Sequence, residues 1–197
     1  MFDDLKEEIL SCRKCENKFG FEPHPIVWGN EKSKIMQISQ APSLNVHDTL
    51  KPFNDLSGRK LRHEWYDISE DVFYNKDNFY ITSVAHCYPG KSPNGGDRLP
   101  PKICAKNWLV KELSCIDNEI YIIIGSYAAN FLFPGQDYNS LIFHNNSMNG
   151  KLAFVLPHPS PLNIKWFRDN PLFLENRIYD IRNEVHKVLK LSPDKSS

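Results

Sequence analysis

Apolar and polar positions along the chain fall into two rhythms. Four short runs rich in β-branched or aromatic residues, each entered from polar sequence, occupy residues 34–39 (KIMQIS), 78–84 (NFYITSV), 119–124 (EIYIII) and 151–156 (KLAFVL). Their length and composition predict strands. Helical spacing lies between them: residues 58–68 place Leu61, Trp65 and Ile68 on one face, residues 101–116 are entered at a proline, and residues 127–133 follow the third strand. A helix over 3–10 precedes the first strand and a long one over 172–191 closes the chain. Strands separated by helices imply parallel pairing with helices on both faces. The expected fold is therefore α/β, a three-layer α/β/α sandwich with a central four-stranded, mainly parallel sheet. Residues 1–191 read as a single domain and 192–197 as a disordered tail.

That topology directs attention to the strand ends. In an open parallel sheet the ligand crevice lies beyond the carboxyl ends of the strands. Four unusual segments stand there: Ser39-Gln40-Ala41-Pro42-Ser43, Ser83-Val84-Ala85-His86-Cys87, Gly125-Ser126 and Pro157-His158-Pro159-Ser160-Pro161. They are expected to converge on a pocket containing Gln40, Ser43, Ser83, His158 and Ser160, held on proline-stiffened loops. His158, between two prolines, is placed to donate to an oxyanion or leaving group, or else to bond a neighbouring carbonyl as a structural histidine. Asp48 and Asp55 flank Pro52-Phe53 on a loop that crosses the same mouth. Either carboxylate is suited to orient water or to cap a turn. Phe53 is available to stack on a planar ligand, or to pack into the core.

Beyond the histidine, Leu162-Asn163-Ile164-Lys165-Trp166-Phe167-Arg168 alternates apolar and basic residues. A leucine wedge with basic neighbours is what extruding a base from a duplex requires; a short amphipathic helix packing Trp166 and Phe167 inward is the plainer reading. Arg59, Lys60 and Arg62, with Lys102, Lys106 and Lys111, are further candidates for phosphate contacts.

Composition narrows the class. The 197 residues carry 24 Lys+Arg against 24 Asp+Glu, with 41% hydrophobic residues. This suits a compact domain of ordinary core size and excludes fibrous and disordered chains. No apolar run approaches the roughly 20 residues of a bilayer crossing, and the start, Met1-Phe2-Asp3-Asp4, is acidic where a secretory signal is basic. A cytoplasmic monomer without membrane contact is expected. Zero formal net charge means that nucleic-acid binding must use a local basic face. The chain has no Gly-x-Ser-x-Gly elbow, P-loop or dinucleotide fingerprint, so serine-hydrolase, nucleotide-hydrolysing and nicotinamide readings lack their parts.

Five cysteines, an odd number, argue against a disulfide framework. Cys12-Arg-Lys-Cys15 is a C-x2-C clamp able to bring two thiolates to one metal centre, and Cys87 and Cys104, both at loop–helix junctions, are placed to complete it. Four thiolates suit zinc and a [4Fe-4S] cluster equally. Cys115, in the apolar stripe of a predicted helix, reads as core.

At Gln40-Ala41-Pro42, Pro52-Phe53, the four cysteines and His158-Pro159-Ser160-Pro161-Leu162, the chain resembles the uracil-DNA glycosylase superfamily, most closely its iron-sulfur (family-four-like) members. The resemblance runs from about Cys12 to the final helix. It implies a DNA glycosylase that flips a base out of DNA and hydrolyses its N-glycosidic bond, leaving an abasic site, with uracil as the default base. It also implies a structural [4Fe-4S] cluster on Cys12, Cys15, Cys87 and Cys104, in preference to zinc. Phe53 would stack on the base and His158 would bond its carbonyl as the bond breaks, with Gln40 beside it. Ser83, Ser43 and Ala41 would complete the base-binding set. Leu162 would enter the duplex, with Ser160, Asn163, Lys165, Arg168 and Arg59 as further DNA contacts.

Two departures from the family pattern matter. Ala41 stands where the best-known uracil enzymes carry a water-positioning aspartate, which leaves Asp48 as the candidate, with His47 second. Ser83 stands where uracil-cleaving relatives carry an asparagine that reads the pyrimidine edge, and Ser43 where other branches place a bulky tyrosine. A roomier pocket follows, so a 5-substituted pyrimidine or a deaminated purine, as in defence against modified phage DNA, is the alternative substrate. A cluster-stabilised nucleic-acid-binding module without catalysis is the second alternative.

Overall fold

The computed structural model describes residues 2–191; the expected tail at 192–197 lies outside them. Five strands form one sheet in the order β2-β1-β3-β5-β4. These are β1 (Ile35–Ser39), β2 (Phe79–Ser83), β3 (Ile120–Ile124), β4 (Asn146–Met148) and β5 (Lys151–Leu156). All neighbours pair in parallel except β4, which runs antiparallel to β5. The four expected strands are thus present, and the sheet has a fifth that the apolar pattern did not announce. β4 is a three-residue edge strand, Asn-Ser-Met, too short and too polar for alternation to reveal. Its hairpin turns at Asn149-Gly150, both at positive φ (51° and 73°), where this residue pair is favoured.

The inner strands β1 and β3 and the edge strand β2 are buried throughout, because helices cover both sheet faces and Trp28 bridges the outer edge of β2 at Ile81. Ile35, Met36 and Ile38 join Phe79, Tyr80, Ile122 and Val155 in the main core, closed on one side by Trp65, Tyr66 and Phe173. Several expected helices are broken. The 101–116 segment forms Lys102–Asn107 and Leu109–Cys115, interrupted at Trp108. The 58–68 segment begins as Leu56–Arg59 and widens into a π-helical stretch, Lys60–Tyr66. The last helix likewise opens with a π-helical turn, Phe173–Arg177, before Ile178–Leu189. Among the described residues no helix is long and apolar enough to cross a membrane.

Candidate functional site

The loops after β1, β2 and β5 meet around a cavity of about 290 Å³. Its wall includes Gln40, Ala41, Ser43, Phe53, Ser83 and His158, so six of the residues expected from the sequence share one pocket. Parallel register places the first and second loops side by side: Ser39 is the partner of Ser83, and beyond the strands Val84 N–H donates to Ser39 O and Ala85 N–H to Gln40 O. The Ser39 and Ser83 hydroxyls lie 3.0 Å apart and are buried, one donating to the other. Ser43 caps the helix Leu44–Thr49 by accepting from Val46 N–H. Gly125, after β3, does not line the pocket; it stands behind the His158 ring, within ordinary contact distance of a Cβ placed there.

Phe53 is held in an uncommon backbone conformation, φ 53°. Three contacts impose it. Arg62 Nη1 donates to Phe53 O at 2.8 Å, the Tyr74 hydroxyl donates to Pro52 O at 2.9 Å, and Gly58 lies so close that a Cβ on it would stand 1.7 Å from Phe53 O. Asp55 then caps the next turn, its Oδ1 accepting from Gly58 N–H at 2.9 Å. Strained backbone of this kind persists where surrounding contacts over-determine it, commonly at functional sites.

His158 has a defined tautomer. Ser160 N–H donates to its Nδ1 at 3.1 Å, so in the neutral ring the proton sits on Nε2, the donor left for the pocket. The side chain opens to solvent at the mouth while protein packs around the rest. That partial burial lowers its pKa below the ordinary 6.5, and the nearby Asp55 carboxylate pulls in the opposite direction.

Asp48 requires a correction. Val46, three residues past the Ser43 cap, faces inward and is buried; two residues further round the same helix, Asp48 is exposed and outside the pocket wall. Asp55 lines the pocket instead. His47, the second candidate, is also outside the wall and stacks on His24 with ring centres 4.2 Å apart. Ser160 does not line the cavity; its backbone N–H bonds His158.

Around the mouth Leu162 is 91% exposed, with Lys165 and Arg168 exposed on the following helix, Ile164–Asp169. Asn163 is committed to the loop, its amide donating to His158 O. Trp166 and Phe167 are half-buried and pack against the main core, as the plainer reading expected. Arg59 is exposed in a groove shared with Asp55, Leu56 and His63. Arg62 is a second correction: at 6% exposure it supports Phe53 and is withdrawn from any phosphate. Lys60 lies over the Phe167 ring at 4.6 Å.

Cys12, Cys15, Cys87 and Cys104 are free thiols lining one small, mostly apolar cavity with Ile9, Phe19 and Trp108. Burial raises the pKa of Cys87 strongly and that of Cys15 less, and in both cases the charges of neighbouring cysteines push the same way. Cys115 stands apart, packed against Leu5, Ile9 and Trp108. Among the described residues no three or more His, Cys, Asp or Glu side chains form a group that could hold a metal ion.

Sequence reasoning missed one functional-looking element: the buried pair of His86 and Glu112, 2.9 Å apart between the two cavities. Burial works against the charge of His86, but Glu112 and Cys104 hold its pKa well above the usual imidazole range. The available signal was a glutamate at a position otherwise apolar, one turn after Leu109 on a helix facing the sheet.

The fold and its pocket define a three-layer α/β domain with a polar cleft at the carboxyl ends of a parallel sheet. The chain belongs to the uracil DNA glycosylase superfamily, whose family model matches residues 26–182. It is 31% identical over 136 residues to the type-4 uracil-DNA glycosylase of Archaeoglobus fulgidus, covering 66% of this chain and 63% of that one. Over 143 residues it is 27% identical to the type-4 uracil-DNA glycosylase of Sulfurisphaera tokodaii, covering 71% and 62%. The match spans somewhat less than two thirds of the length of these curated relatives.

Proposed function

We propose that the chain is a monofunctional DNA glycosylase that binds an extruded base in the pocket and hydrolyses its N-glycosidic bond, with uracil as the first substrate to test. The observation that carries this reading is the Ser160 N–H to His158 Nδ1 hydrogen bond, which leaves a neutral imidazole with its Nε2 proton available in a pocket walled by Phe53. A base leaves as an anion, and a preorganised donor to its oxygen supplies about 3 kcal/mol, a factor of roughly a hundred or more in rate. Phe53 provides the stacking face. The sugar left behind becomes oxocarbenium-like, and the Asp55 carboxylate stabilises that positive charge and orients the water that captures it. Intact donor, stacker and carboxylate in one pocket favour catalysis over a non-catalytic binding module.

A second reading concerns the base. Ser83 offers a hydroxyl already engaged with Ser39, and this pair lacks the two-point contact of an amide. With Ser43 also small, this favours a wider base, a 5-substituted pyrimidine or a deaminated purine. The test is release of base from matched oligonucleotides bearing uracil, hypoxanthine or 5-substituted cytosine, scored as abasic sites. Uracil release supports the first reading, exclusive release of a modified base the second, and no release from any of them overturns both.

The four cysteines fit a [4Fe-4S] cluster. Burial, and after it the charges of the neighbouring cysteines, oppose the ionisation of Cys87 and Cys15 in this apolar cavity, a conflict that bound iron would relieve. When bound, the cluster would supply a cross-link between the N-terminal clamp and the loops after β2, holding the pocket wall in place. DNA is the proposed partner, with Leu162, Lys165, Arg168 and Arg59 at the contact face.

A further inference from the structure

A buried polar chain joins the cysteine cavity to the base pocket, and neither site's own chemistry accounts for it. Glu112, at 0% exposure, is its centre. Its Oε1 accepts the Tyr80 hydroxyl at 2.6 Å, and its Oε2 accepts the Thr82 hydroxyl and His86 Nε2, each at 2.9 Å. Tyr80, Thr82 and His86 are themselves at most 2% exposed. Thr82 also lines the base pocket and His86 the cysteine cavity. A carboxylate that accepts from all sides has no hydrogen to give, so His86 Nε2 carries one. The opposite edge of the ring meets Cys104: Nδ1 lies 3.6 Å from Sγ, and the His86 backbone N–H donates to the same sulfur at 3.3 Å. Among the described residues this is the one cysteine sulfur of the four with a hydrogen-bond donor against it, the His86 backbone N–H, and the ring that Glu112 holds packs its Nδ1 edge on the same atom.

A buried ion pair is weak evidence for stability, because removing two charges from water offsets most of their attraction. What gives this pair a role is the sulfur it faces. We propose that Glu112 and His86 are positioning residues for Cys104: they orient its thiolate toward the metal centre and make it the most strongly hydrogen-bonded ligand of the four. The proposal rests on the iron–sulfur reading above. Hydrogen bonds to a cluster's sulfurs stabilise its more negative, reduced state, raising the reduction potential, and supporting residues behind a ligand slow metal loss. The Thr82 link fixes the same network to the pocket wall, 30 residues away in sequence from Glu112.

The test uses the full chain purified anaerobically. Iron and acid-labile sulfide are quantified, then the reduction potential is measured by EPR-monitored titration and the rate of bleaching by a chelator is followed near 400 nm. Wild type is compared with His86→Leu, His86→Asn, Glu112→Gln and, as a control, Cys115→Ser. His86→Leu is expected to lower the potential and bleach about tenfold faster. His86→Asn, whose polar side chain keeps a hydrogen-bonding group between Glu112 and Cys104, is expected to restore most of the difference. Glu112→Gln should shift both readouts in the same direction as His86→Leu, and Cys115→Ser neither. Wild type containing neither iron nor sulfide overturns the cluster reading and this proposal together. A wild-type cluster with unchanged potential and bleaching in the His86 and Glu112 variants overturns the proposal alone. If His86→Leu does not fold, Glu112→Gln decides.

Discussion

Arg62 Nη1 donates to the carbonyl oxygen of Phe53 at 2.8 Å, and this bond carries the proposed base-stacking ring. The guanidinium also stacks on Phe73 and Tyr74, so its position is set from several sides. An arginine that reads as a surface phosphate contact in the sequence is a buried strut. Gly58 completes the arrangement, since its missing Cβ leaves room for the same carbonyl.

Two substitutions therefore act on Phe53 without touching it. Gly58→Ala would place a methyl 1.7 Å from Phe53 O, so the loop must move; the expected cost is about 1–3 kcal/mol of stability together with loss of base release. Arg62→Leu removes the strut at similar cost. Thermal denaturation and single-turnover release measure the two effects separately.

The two carboxylates of the loop are expected to behave oppositely. Asp55→Asn keeps an oxygen to cap Gly58 but removes the charge, so single-turnover release should fall about 10²-fold or more while the melting temperature changes little. Asp48→Asn, on the exposed face of its helix, should leave both unchanged. A slow Asp48→Asn variant beside a fully active Asp55→Asn would reverse the assignment.

His158 sets a pH dependence. Burial holds its folded-state pKa below 6.5, so as pH falls below 6.5 the unfolded chain takes up this proton first. The group's contribution to stability therefore declines below pH 6.5 and is fully lost once pH passes under the depressed value. Because the neutral ring is the donor, the acid limb of the pH–rate profile should also lie below 6.5. Asp55 raises the histidine's proton affinity, so Asp55→Asn should move that limb to lower pH on whatever rate remains. An unmoved limb would mean that another group titrates.

Leu162 can be tested by strandedness. At 91% exposure its side chain supports no part of the fold. Leu162→Ala should lower release from duplex DNA, where a vacated stack must be filled, and spare single-stranded substrate. Equal loss on both would remove the wedge role.

Serine at position 83 is expected to govern base choice. Ser83→Asn introduces an amide where the Ser39 hydroxyl now partners a hydroxyl, and narrows the pocket. The ratio of uracil release to release of wider bases should rise. A ratio that stays constant would place base discrimination elsewhere.

The amino-acid sequence by itself determined much of this protein. Short β-branched runs between helical segments specify parallel strands, because each must be covered on both faces, and the loops at their carboxyl ends then share one side of the sheet. Gln40, Phe53, Ser83 and His158 were legible for that reason, as were the four cysteines through the C-x2-C spacing. The edge strand Asn146–Met148 was not, since three residues show no period. Tertiary structure alone decided which of two aspartates enters the pocket, because the Ser43 cap sets the rotation of the helix that carries Asp48. It alone paired Ser39 with Ser83, through strand register, and buried Arg62 under Phe53. Glu112 and His86 lie 26 residues apart and look like a surface acid and a loop histidine until the helix packs on the sheet. Local pattern reports what each segment can form, whereas a polar side chain's role depends on the partners that long-range packing brings to it.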